Sequence, residues 1–180
     1  MRKLKANISD IADVQEVNSP EISHFLDLET GEVVMVTEED NSAIEDFYEQ
    51  VDLQDDESEE VIQAKFEEWL DEYDCPEWQK DSIRPAFMVE RNAGERYIQI
   101  PESDSHDGYN DMVGFTATVK DEHLQNLLSV ALNGKGAFRR FKDVLYKYPE
   151  EQERWFKHSR EQTEQRVREW LESEDIEIES

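Results

Sequence analysis

His24-Phe25-Leu26-Asp27-Leu28-Glu29-Thr30-Gly31-Glu32-Val33-Val34-Met35-Val36-Thr37 carries the clearest β signal in the chain. Two runs, His24 to Leu28 and Val33 to Thr37, flank Glu29-Thr30-Gly31-Glu32. Gly31 can take the left-handed conformation that a short hairpin loop with a bulge needs. The reading is an antiparallel hairpin. Downstream, Arg96-Tyr97-Ile98-Gln99-Ile100-Pro101 reads as a short strand stopped by proline, and it can join the hairpin as a third strand.

Around this sheet the chain patterns as helix. Ile8 to Val17 has a rough helical spacing and ends before Pro20. Asp52 to Glu60 is an acidic, solvated loop, after which Asp56 with Glu59 can open a helix. Ile62, Phe66, Trp69 and Tyr73 place one aromatic stripe on the core. Pro76 starts a helix from Glu77 to about Glu90, and Arg91-Asn92-Ala93-Gly94 is a turn. Ser103 to Val119 is helical, with Asp104-x-His106-Asp107-Gly108 as a capping turn. Asp121 is a good N-cap for His123 to Leu132, and Asn133-Gly134 forms a turn. A helix then runs from near Gly136 to Tyr146. Pro149, followed by Glu150 and Glu151, begins the last one, which reaches about Glu172. The expected fold is α+β and mostly helical, an N-terminal hairpin packed on a C-terminal helical layer. The chain is read as a single domain, 1–180, with an N-terminal segment 1–20, the hairpin, helices and short strand at 21–101, a helical region at 102–174, and a disordered tail at 175–180.

Composition sets bounds. Hydrophobic residues make up 37% of the 180 residues and charged ones 36%. Buried aromatics, eight Phe, six Tyr and four Trp, must therefore supply much of the core. A lone Cys75 permits no intrachain disulfide, which fits a reducing compartment. Met1-Arg2-Lys3-Leu4-Lys5 has no apolar run behind it and is not a secretory signal. No stretch approaches the ~20 apolar residues of a membrane span. The expectation is a soluble, cytoplasmic protein. Its net charge of −27 argues against direct binding to nucleic acid or an anionic membrane. The plain reading of the acidity is solubility.

The charge is unevenly spread. Of 19 Lys and Arg and 46 Asp and Glu in the chain, the Gly134–Trp170 stretch holds 10 basic and 7 acidic residues. Phe138, Phe141 and Leu145 recur at i, i+3, i+7 and are expected in the core, and Arg139, Lys142 and Tyr146 form a neighbouring ridge. In the last helix Trp155, Phe156, Thr163, Val167, Trp170 and Leu171 make one face, with Arg160 and Arg166 on its margins. Asp143 is a plausible partner for that pair. Arg154, Lys157 and Arg168 point outward and find acids at i,i+4, namely Glu150, Glu153 and Glu164. The candidate ligand- or partner-binding residues are Lys135, Arg139, Arg140, Lys142, Arg160 and Arg166. Such a group suits a phosphate or carboxylate. Pairing with the chain's own acids is the competing reading.

Gly134 to Leu145, Pro149 followed by Trp155-Phe156, and Arg166-Val167-Arg168-Glu169-Trp170-Leu171 resemble the bacterial Uncharacterised Protein Family (UPF) 0158. Members similarly carry a Tyr-Leu-Asp-Leu-Glu-Thr-Gly-Glu hairpin, here Phe25 to Glu32. They also carry Ile-Pro followed by Tyr-x-Asp-Met, here Ile100-Pro101 and Tyr109 to Met112. Where the family has Gly-Arg-Gly, this chain has Gly134-Lys135-Gly136, which keeps charge but loses bidentate geometry. The resemblance implies a shared fold and brings no activity, cofactor or catalytic residue.

Other chemistry is missing from the pattern. His24, His106, His123 and His158 are scattered and Cys75 has no ligand at metal spacing, so no metal and no cofactor are expected. There is no P-loop, dinucleotide fingerprint or nucleophile elbow. The sequence therefore leans away from an enzyme. It points first to a non-enzymatic interaction or regulatory module whose basic–aromatic segment meets an acidic or phosphate-bearing partner, an unidentified protein or anionic small ligand. Two alternatives stand beside it: an acidic decoy that mimics nucleic acid and binds a basic protein, and, with least support, an enzyme acting on a phosphate-containing substrate.

Overall fold

In a computed structural model that describes residues 1–179, the chain divides into two compact units. The sheet unit comprises chiefly Leu4–Asn7 and Asn18–Pro101. The helical unit comprises Met1–Lys3, Ile8–Val17 and Glu102–Ile178. In chain order the elements are β1 (Arg2–Leu4), α1 (Ile8–Gln15), β2 (Ile22–Asp27), β3 (Val33–Thr37), α2 (Glu38–Gln50), α3 (Glu59–Glu72), α4 (Glu77–Arg91), β4 (Tyr97–Gln99), α5 (Ser105–Thr118), α6 (Glu122–Ala131), α7 (Ala137–Leu145), α8 (Pro149–Ser173) and β5 (Ile176–Ile178). The fold is α+β and mostly helical.

The hairpin forms as its pattern demands. β2 pairs antiparallel with β3, Leu26 opposite Val33, and antiparallel with β4, Leu26 opposite Ile98, giving the sheet order β3-β2-β4. Gly31 sits at φ +77°, and a Cβ there would lie 2.0 Å from the Lys5 carbonyl oxygen. Only glycine meets both conditions. Asp27 closes the loop: its carboxylate accepts the Glu29 N–H at 2.8 Å and two guanidinium N–H groups of Arg96, at 3.1 and 2.7 Å. Burial alone would raise the Asp27 pKa, but the Arg96 and backbone hydrogen bonds outweigh it and hold the carboxyl below its ordinary value.

Residues 38–50, to which the sequence pattern assigns no element, form α2. A capping box starts it: the Thr37 hydroxyl accepts the Asp40 N–H, and the Asp40 carboxylate accepts the Thr37 N–H. The N-cap of α3 is Ser58 rather than the expected Asp56, since the Ser58 hydroxyl is the group that reaches the Val61 N–H. α2, α3 and α4 then bring Phe47, Phe66 and Phe87 together as the heart of the sheet unit's core, all fully buried. Phe66 and Phe87 stack with centroids 3.7 Å apart, and Phe47 meets each edge-on.

The helical unit has its own core around Met112, Phe115, Leu128, Phe141 and Trp155. Its helix starts are those the sequence marks. Asp104 accepts the His106 N–H, Asp121 accepts the Leu124 N–H, and Pro149 opens α8 in its first turn. Ile176–Ile178, expected within a disordered tail, instead form β5, which pairs with β1. The Arg2 N–H donates to the Asp175 carbonyl beside that pairing. Residue 180 of the expected tail lies outside the described residues.

Two aromatics expected in the core are not there. Phe138 is 41% exposed and Phe156 54% exposed. The buried stripe of α7 is Ala137, Phe141 and Leu145, an i, i+4, i+8 line from which Phe138 is rotated by about 100°. On α8 the buried line is Trp155, Thr163, Val167 and Leu171. Phe156 is one residue off it, and Trp170 is half-buried.

Candidate functional site

α6 ends at Ala131, and the loop Leu132 to Gly136 returns the chain into α7 through two left-handed glycines, Gly134 and Gly136. This turn leaves the last carbonyls of α6 and those of the loop without helical partners. Arg140 supplies them. Its Nε donates to the Ala131 carbonyl at 3.1 Å, and its terminal nitrogens donate to the carbonyls of Lys135 and Asn133. One guanidinium thus clamps the whole connection. A lysine has no fork able to serve three carbonyls at once.

The two candidate arginines on α8 are engaged in a similar way. Arg160 donates to the Asp13 carboxylate at 2.6 Å, to the Ser9 carbonyl at 2.8 Å and to Glu164 at 3.1 Å. It fastens α1 to α8, and the Asp13 hydrogen bond raises its pKa above the ordinary arginine value. Arg166 makes a bidentate pair with Asp111 of α5, both N–H···O distances being 2.9 Å. The Asp111 side chain is only 9% exposed. Neither arginine pairs with Asp143, which instead lies 3.9 Å from the Arg139 Nε on the open face of α7. Among the outward residues, Arg168 pairs with Glu164 as spaced. Arg154 and Lys157 choose Glu151 and Glu161 instead.

Lys135, Arg139 and Lys142 behave differently. All three are exposed, Arg139 with 89% of its side chain open to solvent. Among the described residues neither Lys135 nor Lys142 has an ion pair within 4 Å. Beside them on α7 stand Phe138 and Tyr146, the latter 77% exposed. Phe138, Lys142 and Tyr146 follow one another at i, i+4, i+8, so they line a single ridge, with Arg139 next to it. The six candidate residues therefore fall into two sets. Arg140, Arg160 and Arg166 are held by carbonyls and carboxylates of their own unit, while Lys135, Arg139 and Lys142 face outward together with two aromatic rings.

Of the two rings on this ridge, the sequence pattern places Tyr146 there and misses Phe138. Phe138 fits an i, i+3, i+7 core stripe with Phe141 and Leu145, and the small Ala137 gave no cue that the true stripe starts one residue earlier. Elsewhere, no group of three or more His, Cys, Asp or Glu among the described residues is placed to hold a metal ion. No helix among them is long and apolar enough to cross a membrane.

Comparison with known proteins places these elements in a family. Residues 74–179 match the Uncharacterised protein family (UPF0158). A UPF0158 protein of Pseudomonas aeruginosa is 23% identical over 176 residues, covering 98% of this chain and 87% of the relative. No solved structure matches. The family match takes in β4 and every helix from α4 onward, with the whole basic segment; the chain belongs to the uncharacterised protein family UPF0158.

Proposed function

We propose that the protein is a non-enzymatic interaction or regulatory module, and that the outer ridge of α7 is the face that meets an acidic or phosphate-bearing partner. One observation carries this reading. In a chain of net charge −27, Lys135, Arg139 and Lys142 stay exposed although acids are plentiful: Lys142 lies on one ridge with Phe138 and Tyr146, Arg139 is next to it, and Lys135 sits in the loop that leads into α7. Aromatic side chains supply contact area at low entropic cost, whereas lysines and arginines steer an anionic partner to it.

The test is a titration of the 15N-labelled chain with a hexaglutamate peptide and, separately, with inorganic tripolyphosphate. The reading expects saturable shifts concentrated on the amides of residues 134–146, and their loss in the Arg139→Glu/Lys142→Glu variant. Both substituted side chains are exposed, so that variant keeps its fold. Shifts centred on Arg160 and Arg166, or none at all with either probe, refute the assignment.

A further inference from the structure

Of the chain's seven asparagines, Asn133 alone is followed by glycine. Such a step is chemically labile. The backbone nitrogen of the second residue can attack the asparagine side-chain carbonyl carbon, and a glycine, having no Cβ, leaves that approach open. Asn133 and Gly134 are both exposed, in the loop just past the end of α6. Among the described residues the Asn133 side-chain amide makes no hydrogen bond, and the Gly134 N–H has no acceptor. Electrophile and nucleophile are thus both free. The other asparagines are placed differently. Asn41, Asn110 and Asn126 lie inside α2, α5 and α6, and the Asn92 amide donates to the Met88 carbonyl at 2.9 Å. Asn7 and Asn18 precede Ile8 and Ser19, whose side chains crowd the attacking nitrogen.

Arg140 restrains the pair. The Asn133 carbonyl and the Gly134 N–H belong to one peptide plane, and attack requires that plane to turn toward the Asn133 side chain. Arg140 donates to the Asn133 carbonyl through Nη2. Its Nε and Nη1 tie the same guanidinium to the carbonyls of Ala131 and Lys135, on either side. Turning the plane breaks a charge-assisted hydrogen bond that the rest of the clamp holds in place. The guanidinium charge also eases loss of the Gly134 N–H proton, but in this open loop solvent screens that effect. The restraint wins.

We infer that Asn133–Gly134 is a site of spontaneous deamidation whose rate Arg140 holds down. The Gly134 nitrogen bonds to the Asn133 Cγ, the Cγ–Nδ2 bond breaks, and the side-chain nitrogen leaves as ammonia with the Gly134 N–H proton. Water then adds at either carbonyl of the succinimide and leaves aspartate or isoaspartate at position 133. Nothing is oxidised or reduced. Either product puts a carboxylate just past the C-terminus of α6, against the negative end of its dipole, and close in sequence to the exposed Lys135. Isoaspartate also routes the main chain through its Cβ, which displaces the carbonyl that Arg140 holds. The modification loosens the entry to α7, and it does not depend on what α7 binds.

The test incubates the folded full chain, its Arg140→Lys and Asn133→Gln variants, and the parent unfolded in guanidinium chloride, all in mildly alkaline buffer. Peptide maps by mass spectrometry, with isoaspartate methyltransferase labelling, follow every asparagine, and Tm is recorded alongside. Asn133 is expected to convert ahead of the other asparagines, and more slowly in the folded parent than in the unfolded one. Folded Arg140→Lys converts roughly five- to thirtyfold faster than the folded parent. Asn133→Gln removes the isoaspartate signal, and the converted parent melts below the fresh one. Another asparagine converting first overturns the proposal, as does a folded parent that converts as fast as the unfolded chain. So does an Arg140→Lys variant that folds and converts no faster. Should that variant fail to fold, the comparison of folded with unfolded parent decides alone.

Discussion

The inner arginines of the basic segment and the outer ridge of α7 carry the same charge and do different work. Arg140, Arg160 and Arg166 reach groups of their own unit, among them the Ala131 carbonyl, Asp13 and Asp111, and complete connections that the backbone leaves open. Lys135 and Lys142 make no ion pair among the described residues, and Arg139 makes only an open i,i+4 contact with Asp143. Basic residues within one sequence segment therefore do not form one site. Depth and partner geometry decide which charges belong to folding and which remain for a ligand.

The contrast breaks most visibly if an inner pair proves dispensable. Asp111→Ala strips Arg166 of its bidentate carboxylate and is expected to cost about 2 to 3 kcal/mol, less than a fully buried pair because Arg166 keeps some solvent. Urea denaturation measures it, and a loss below about 0.5 kcal/mol would place Arg166 with the surface charges. Arg140→Lys comes next, at about 1 to 2 kcal/mol, because an ammonium's donors sit on a single nitrogen and cannot span the three carbonyls that the guanidinium reaches from three nitrogens. Hydrogen exchange of the loop between α6 and α7 should speed up in that variant, with the sheet unit unchanged.

The sheet unit uses the same device at Asp27, and pH exposes it. A carboxyl whose folded pKa is depressed contributes stability above its unfolded value, here near the ordinary 3.8, and loses it as pH falls through the folded value. Stability should therefore decline below about pH 4, and Asp27→Asn, at a cost of about 1 kcal/mol near neutrality, should make that decline shallower. An unchanged acid profile in the variant would mean that Arg96 does not set this carboxyl. The smallest effect belongs to the outer ridge. Arg139→Gln and Lys142→Gln should each change stability by less than about 0.5 kcal/mol.

The sequence made some of this legible and not the rest, for physical reasons. The hairpin was readable because alternation and a positive-φ glycine are local signals, and the caps at Asp104 and Asp121 were readable for the same reason. α2 was not, because its first turn, Glu38-Glu39-Asp40, carries no apolar residue and its capping box uses Asp where Glu or Gln is usual. The division of the six candidate cations was only half visible. Arg140 reaches carbonyls within nine positions of itself. The partners of Arg160 and Arg166 lie up to 151 and 55 positions away, beyond any spacing rule. Phe138 and Phe156 were misplaced because one residue of helical rotation separates a core stripe from its edge.

The most direct test of the two roles measures binding and stability in the same pair of variants. Arg139→Gln/Lys142→Gln and Asp111→Ala are compared for hexaglutamate affinity by calorimetry and for Tm. The account predicts that the first loses binding at unchanged Tm, and that the second loses Tm while binding normally below its melting temperature. Retained binding in the first variant, or binding lost only in the second, would contradict it.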